Sequence, residues 1–215
     1  MAPWLLNLRA HDLAAYAQVL TLPDSNNIFA EDGSLSKQLV PTDKYLYTIR
    51  ELMSTEATFL QLIQALKDDF LQPLATVMSD EDKKITHVNI QALHKLHVDF
   101  YDELHAACLS AANRTRLICR VFDSFQRLFM KEYVEYFLNI EGALAHFARL
   151  MVVNPKRESF RRTFESCRAN CKYQNFNFPL GDMLVQPFQR VSKYHLLLKD
   201  LKRHKVFVST CIFIV

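Results

Sequence analysis

The stretch from residue 50 to residue 70, RELMSTEATFLQLIQALKDDF, decides the fold class of this chain. Its apolar side chains recur every three or four residues, which is the spacing of one face of an α-helix. The members of this face are Leu52, Phe59, Leu62, Ile63, Leu66 and Phe70. The pattern predicts an amphipathic helix that buries this face and ends at Pro73, because proline removes a backbone donor and obstructs the preceding turn.

The same helical spacing recurs along the rest of the chain. It predicts a second helix around residues 93–104, a third over residues 117–147, a short fourth over residues 158–171 and a last over residues 178–201. Pro187 lies inside the last stretch, and we expect a kink or a second helix start there. Together these stretches predict an all-α protein, built as an elongated helical bundle.

The composition excludes several classes of protein. The chain has 215 residues, 50% hydrophobic and 23% charged, so it can bury a core and is not disordered throughout. Its three glycines are too few for a glycine-rich phosphate loop or for a sheet of tight hairpins. The net charge of +3 is small for a nucleic-acid binder, and no apolar run reaches the ~20 residues of a transmembrane helix. We therefore expect no nucleic-acid partner, no transmembrane segment, only indirect membrane contact and no cofactor.

Histidines and cysteines form no recognisable metal-binding or catalytic motif. His94 and His97 share a helix face, yet no Glu-x-x-His pair occurs in the chain, so we expect half-exposed surface histidines and no metal site. Cys167 and Cys171 also share a face, without the further ligands that a tetrahedral zinc site requires. The five cysteines lie in helical or apolar stretches, which favours reduced thiols and a cytoplasmic protein.

The pattern divides the chain into three parts. Residues 1–41 are interrupted twice by turn-forming residues, which predicts a loosely ordered N-terminal arm. Residues 42–205 carry the helical spacing and form the predicted helical domain. Residues 206–215 read VFVSTCIFIV, a divergent apolar tail that is uncharged and rich in β-branched side chains.

Two segments carry residues that helical periodicity does not explain. The first is RELMSTEATF at residues 50–59, and the second is LVQPFQRVSKYHLLL at residues 184–198. They resemble the first and third conserved regions of Dbl-homology domains, the catalytic modules of Rho-family guanine-nucleotide exchange factors. Residues 70–74 and 89–93 are most similar to the Vav subgroup of that family. The resemblance extends over residues 45–205 of the chain.

The resemblance implies a bundle whose first helix and last long helix lie side by side and bind the switch regions of a small GTPase. Glu51 would accept hydrogen bonds from switch I and draw it away from the nucleotide and its Mg²⁺. Lys193 would bind backbone carbonyls of switch II. Ile63 lies where the family makes apolar contact with the GTPase, and Gln189 and Arg190 are further candidates, either for contact or for a structural role. No covalent bond is made or broken in nucleotide exchange, so the resemblance implies no enzyme in the covalent sense.

The chain departs from the family pattern in two places. Ser192 stands where Vav-like sequences have leucine, in the middle of the expected GTPase contact. The last helix of the family continues well past His204, so we expect a helical domain that is incomplete at its C-terminal end. The leading hypothesis is exchange activity toward a Rac-like member of the Rho family. The alternative is a catalytically impaired, truncated fragment that acts as a GTPase-binding scaffold or a helical adaptor.

Overall fold

Every regular element of the described residues is helical, which confirms the all-α fold class. The computed structural model describes residues 44–110, 113–152, 158–171 and 180–204 of the chain. The predicted arm over residues 1–41 and the predicted tail over residues 206–215 lie outside this part of the chain. All described residues therefore lie within the predicted helical domain, residues 42–205.

Seven α-helices and one π-helical segment make up the described part of the chain. They are α1 (Lys44–Ala65), the π-helix (Leu66–Leu71), α2 (Gln72–Ala75), α3 (Asp80–Thr86), α4 (Ile90–Leu109), α5 (Arg114–Met151), α6 (Glu158–Asn170) and α7 (Leu180–His204). Helix α5 passes through Gly142 without a break. Helices α4 to α7 cover the four later stretches that the apolar spacing predicts, and α3 adds a short turn before α4.

The prediction that the first helix ends at Pro73 is wrong. The helical path continues past Pro73 to Ala75, after the π-helical segment. In that segment the Gln72 N–H bonds the carbonyl of Lys67, five residues earlier, instead of the carbonyl four residues earlier. A proline ring clashes with the carbonyl four residues before it in a regular α-helix, and the wider π-turn just ahead of Pro73 accommodates the ring without ending the helix.

Pro187 is likewise contained within one helix. Helix α7 runs from Leu180 to His204 with Pro187 inside it, so the second helix start that the sequence allowed is absent. The buried hydroxyl of Tyr136 donates to the Leu184 carbonyl in the turn before Pro187. This bond joins α7 to α5 one residue after Met183, whose carbonyl receives no helical hydrogen bond from Pro187 because proline has no N–H.

Aromatic rings from α4, α5 and α7 pack together in the core. Phe100 of α4 has no exposed surface, and its ring centroid lies 5.0 Å from Phe122 and 5.1 Å from Phe129 of α5. Tyr194 of α7 lies 5.7 Å from the same ring. Edge-to-face pairs of this kind add ~0.5–1.5 kcal/mol each to the stabilisation that burial provides. The packing fixes one face of α7 inward and leaves its opposite face exposed.

Candidate functional site

The predicted contact residues on α1 and α7 differ in exposure. Glu51 is exposed on α1, and Gln189, Ser192 and Lys193 are all exposed on α7. Ile63 has 0% exposed surface and belongs to the core. The prediction that Ile63 contacts the GTPase is therefore corrected, because a side chain with no accessible atoms offers nothing to a docking protein. Its position on the apolar stripe of α1 accounts for its burial.

A direct contact between α1 and α7 places the exposed residues near one another. The guanidinium of Arg190 donates from Nε and Nη2 to Glu56 Oε2 at 2.9 and 2.6 Å, and from Nη1 to Thr55 Oγ1 at 2.8 Å. Glu51 lies one helical turn before Thr55, and Lys193 lies close to one turn after Arg190. Both exposed charges thus lie within about one turn of the same interhelical contact.

The contact extends inward as a buried polar cluster, which we define as Glu56, His97, Tyr133, Arg190 and Tyr194. His97 Nδ1 lies 2.6 Å from Glu56 Oε1, and His97 Nε2 lies 2.7 Å from the Tyr133 hydroxyl. The Tyr194 hydroxyl donates to Glu56 Oε2 at 2.5 Å. The cluster joins α1, α4, α5 and α7, so it holds the four helices in a fixed mutual arrangement.

Charge balance keeps the carboxylate of this cluster ionised. Burial alone would raise the pKa of Glu56, but the positive charge of Arg190 and the hydrogen bonds from His97 and Tyr194 outweigh burial and lower it to about 2. Burial would lower the pKa of Arg190, yet the neighbouring Tyr194 and Glu56 raise it. The guanidinium also lies 4.4 Å from the centroid of the Tyr194 ring. The result is a charged pair inside the bundle, joined by two hydrogen bonds from the Arg190 guanidinium to Glu56 Oε2.

The polar cluster was missed at the level of sequence, although a signal for it exists. His97 was expected to be half-exposed, but it has 0% exposed surface, so that expectation is wrong. It lies four residues after Leu93 and three before Phe100, in the apolar stripe of α4. Glu56 lies in the same way between Leu52 and Phe59 on α1. A polar residue within an apolar stripe predicts a buried partner, because an unpaired charge there would be costly.

An exposed apolar strip on α7, formed by Val185, Phe188 and Leu196, flanks the candidate charges. On α7, Phe188 and Leu196 are 58% and 59% exposed, and Val185 is also exposed. On α5, Leu138 is 78% exposed, and the ring of Phe137 lies 5.3 Å from the ring of Phe188. Apolar side chains this exposed on neighbouring helices are typical of a surface that receives another protein.

The described part of the chain contains neither a metal-binding cluster nor a membrane-spanning helix. No group of three or more His, Cys, Asp or Glu side chains there could hold a metal ion. None of the described helices is both long and apolar enough to cross a bilayer. Cys108, Cys167 and Cys171 are buried and form no disulfide bond.

A family model matches most of the helical domain. The family model described as RhoGEF domain matches residues 48–206, a segment that contains the polar cluster and both exposed charges. The chain belongs to the RhoGEF domain family.

Individual relatives agree with the resemblance to the Vav subgroup, which is confirmed. The proto-oncogene vav of Homo sapiens is 32% identical over 179 residues, which cover 81% of this chain and 20% of the relative. The phosphatidylinositol 3,4,5-trisphosphate-dependent Rac exchanger 1 protein of Mus musculus is 29% identical over 166 residues, which cover 74% of this chain and 10% of the relative. A solved structure of the Vav1 exchange factor with its PH and C1 domains aligns with a TM-score of 0.69 at 29% identity, over 76% of this chain and 42% of that chain. This chain thus spans about a fifth of the human relative's length.

Proposed function

We propose that this protein is a guanine-nucleotide exchange factor for a Rho-family GTPase. One observation carries the proposal: an exposed carboxylate, Glu51, and an exposed ammonium, Lys193, lie on adjacent helices, each within about one turn of the buried Arg190–Glu56 contact. Membership of the RhoGEF domain family supports the assignment of these helices to GTPase binding. A protein with this function works in the cytoplasm, which we propose as its location.

The proposed mechanism needs no covalent step. Glu51 accepts hydrogen bonds from switch I of the GTPase and draws that loop away from the nucleotide, while Lys193 donates to backbone carbonyls of switch II. The exposed strip of Val185, Phe188 and Leu196 supplies apolar contact beside them. The protein thereby stabilises the nucleotide-free GTPase relative to the nucleotide-bound form, and GDP dissociates faster.

This surface can supply the free energy that faster GDP release requires. A thousandfold acceleration of GDP release corresponds to ~4 kcal/mol of preferential binding to the nucleotide-free state. A hydrogen bond to a charged group contributes ~1.5–3 kcal/mol, so Glu51 and Lys193 together supply most of that preference. The apolar strip then has to offset the cost of association.

We further propose that the GTPase is Rac-like. The support is the resemblance to the Vav subgroup and the name of one relative, a Rac exchanger. The alternative, a binding fragment without turnover, gains support from Ser192, which is exposed in the middle of α7 where an apolar side chain would extend the strip.

One experiment separates these functions. The 215-residue chain is added to Rac-like and Rho-like GTPases loaded with fluorescent GDP, and the release rate is followed in the presence of excess unlabelled GTP. Accelerated release, fastest with the Rac-like protein, is the expected result. Retention of nucleotide-free GTPase on immobilised chain without accelerated release would support the impaired fragment. Neither retention nor release would identify a helical adaptor and overturn the proposal.

A further inference from the structure

Thr55 links the buried pair to the turn of α1 that carries Glu51. Its hydroxyl donates to the Glu51 carbonyl at 2.7 Å and accepts the hydrogen bond from Arg190 Nη1 at 2.8 Å. A threonine hydroxyl has one hydrogen and two lone pairs, so it can make both bonds at once. The hydrogen bonds therefore run from the guanidinium of α7, through one hydroxyl, to the backbone of residue 51.

The Glu51 side chain has no comparable support of its own. Among the described residues, its carboxylate has no hydrogen-bond or ion-pair partner, and the side chain is exposed. The position of this carboxylate relative to α7 consequently depends on where the backbone of residue 51 is held. Because charged groups act on a partner only when they are correctly placed, a displacement of about 1 Å can reduce a rate by about a hundredfold.

We propose that Thr55 is a positioning residue for nucleotide exchange. It acts through Glu51. Because its hydroxyl bonds both Arg190 and the Glu51 carbonyl, it fixes where Glu51 lies relative to Lys193. This inference rests on the proposed function, since it concerns the same GTPase-binding surface. It assigns to Thr55 no contact with the GTPase.

The chain offers a matched control for this role. Thr58 lies on the same helix, and its hydroxyl donates to the Ser54 carbonyl at 2.9 Å, the same four-residue bond that Thr55 makes to Glu51. Within the described residues, the Thr58 hydroxyl has no bond to α7. Loss of the intrahelical bond is therefore common to Thr55→Val and Thr58→Val, whereas loss of the Arg190 contact is specific to Thr55→Val.

The test compares Thr55→Val, Thr55→Ser and Thr58→Val in the full chain. The maximal exchange rate, the half-saturating concentration and the thermal midpoint are measured for each. We expect Thr55→Val to lower the maximal rate about tenfold with little change in half-saturation, because one charge-assisted hydrogen bond is lost. Thr55→Ser restores the hydroxyl and the rate, and Thr58→Val leaves the rate unchanged.

A second comparison asks whether Thr55 acts through Glu51. In a Glu51→Gln background, Thr55→Val should cause no further loss of rate, because the carboxylate that it positions is already absent. An equal loss in both backgrounds, an equal effect of Thr58→Val, or a Thr55→Val chain that fails to fold would each overturn the inference in favour of a purely structural role. If Glu51→Gln itself exchanges at the normal rate, the proposed function of Glu51 fails instead, and the two failures are distinguished.

Discussion

Glu51 and Glu56 lie five residues apart on α1, and the bundle treats them in opposite ways. Glu56 is fully buried and is bonded by Arg190, His97 and Tyr194, which come from two other helices. Glu51 is exposed, and its carboxylate has no partner among the described residues. A glutamate on the apolar stripe of α1, Glu56, thus holds helices together. A glutamate off that stripe, Glu51, faces outward.

The largest expected effect is on stability, from removal of the buried carboxylate. Glu56→Ala leaves Arg190 buried without its counter-charge, which should lower the free energy of unfolding by ~3–5 kcal/mol. Urea denaturation followed by circular dichroism measures this loss. Glu51→Ala is the matched control, since an exposed substitution changes stability by no more than ~0.5 kcal/mol. Equal losses in the two variants would contradict the division of roles.

Acid should destabilise the fold by protonating the buried carboxylate of Glu56. The interactions of Glu56 in the folded protein lower its pKa from the ordinary value of 4.5 to about 2. Its stabilising contribution is therefore complete above pH 4.5 and is lost progressively as the pH falls from 4.5 toward 2. The urea midpoint of the chain should fall across this range, and that of Glu56→Gln should fall less. Identical pH profiles for the two proteins would show that Glu56 does not set acid stability.

A smaller loss is expected at the far end of the cluster. Tyr133→Phe removes the hydroxyl bonded to His97 Nε2 and leaves that ring nitrogen buried without its partner. The expected cost is ~1–3 kcal/mol of unfolding free energy. Tyr47→Phe, at an exposed position of α1, serves as the control and should leave the urea midpoint unchanged. If the Tyr133→Phe chain is as stable as the unmodified chain, the Tyr133 hydroxyl does not stabilise the fold.

The smallest effect concerns the exposed face of α7. Ser192→Leu should extend the apolar strip between Phe188 and Leu196 at little cost, because Ser192 is exposed and its hydroxyl bonds only the Phe188 carbonyl one turn earlier. We expect exchange at subsaturating concentrations to rise by about threefold to tenfold, as burial of a few carbons against the GTPase would give. Unchanged or slower exchange would show that this strip does not meet the GTPase.

The sequence predicted the helices well because their apolar stripes are regular. Helices α4 to α7 follow the expected stretches, and the family resemblance correctly placed α1 and α7 side by side. The continuation past Pro73 was not predictable, because a π-turn depends on local backbone geometry that no residue pattern in this chain signals. Ile63 shows a further limit, since periodicity places it on the buried stripe while analogy to the family assigned it to the surface.

The buried cluster was the principal feature that the sequence reading missed. Glu56, His97 and Arg190 each occupy an apolar-stripe position, but each has its hydrogen-bond partners on other helices, up to 138 residues away in the chain. Pairing over such distances depends on how the helices pack, which single-helix periodicity does not describe. Polar residues within apolar stripes would have indicated burial, although not which side chains meet.

The most direct test of the central claim is the rate of fluorescent GDP release from a Rac-like GTPase with Glu51→Ala and with Lys193→Ala. The matched controls are Glu103→Ala and Lys84→Ala, exposed charges on α4 and α3. The account predicts that each of the first two substitutions abolishes most of the acceleration while the helical content and urea midpoint stay unchanged, and that both controls remain fully active. Undiminished release with both Glu51→Ala and Lys193→Ala would contradict it.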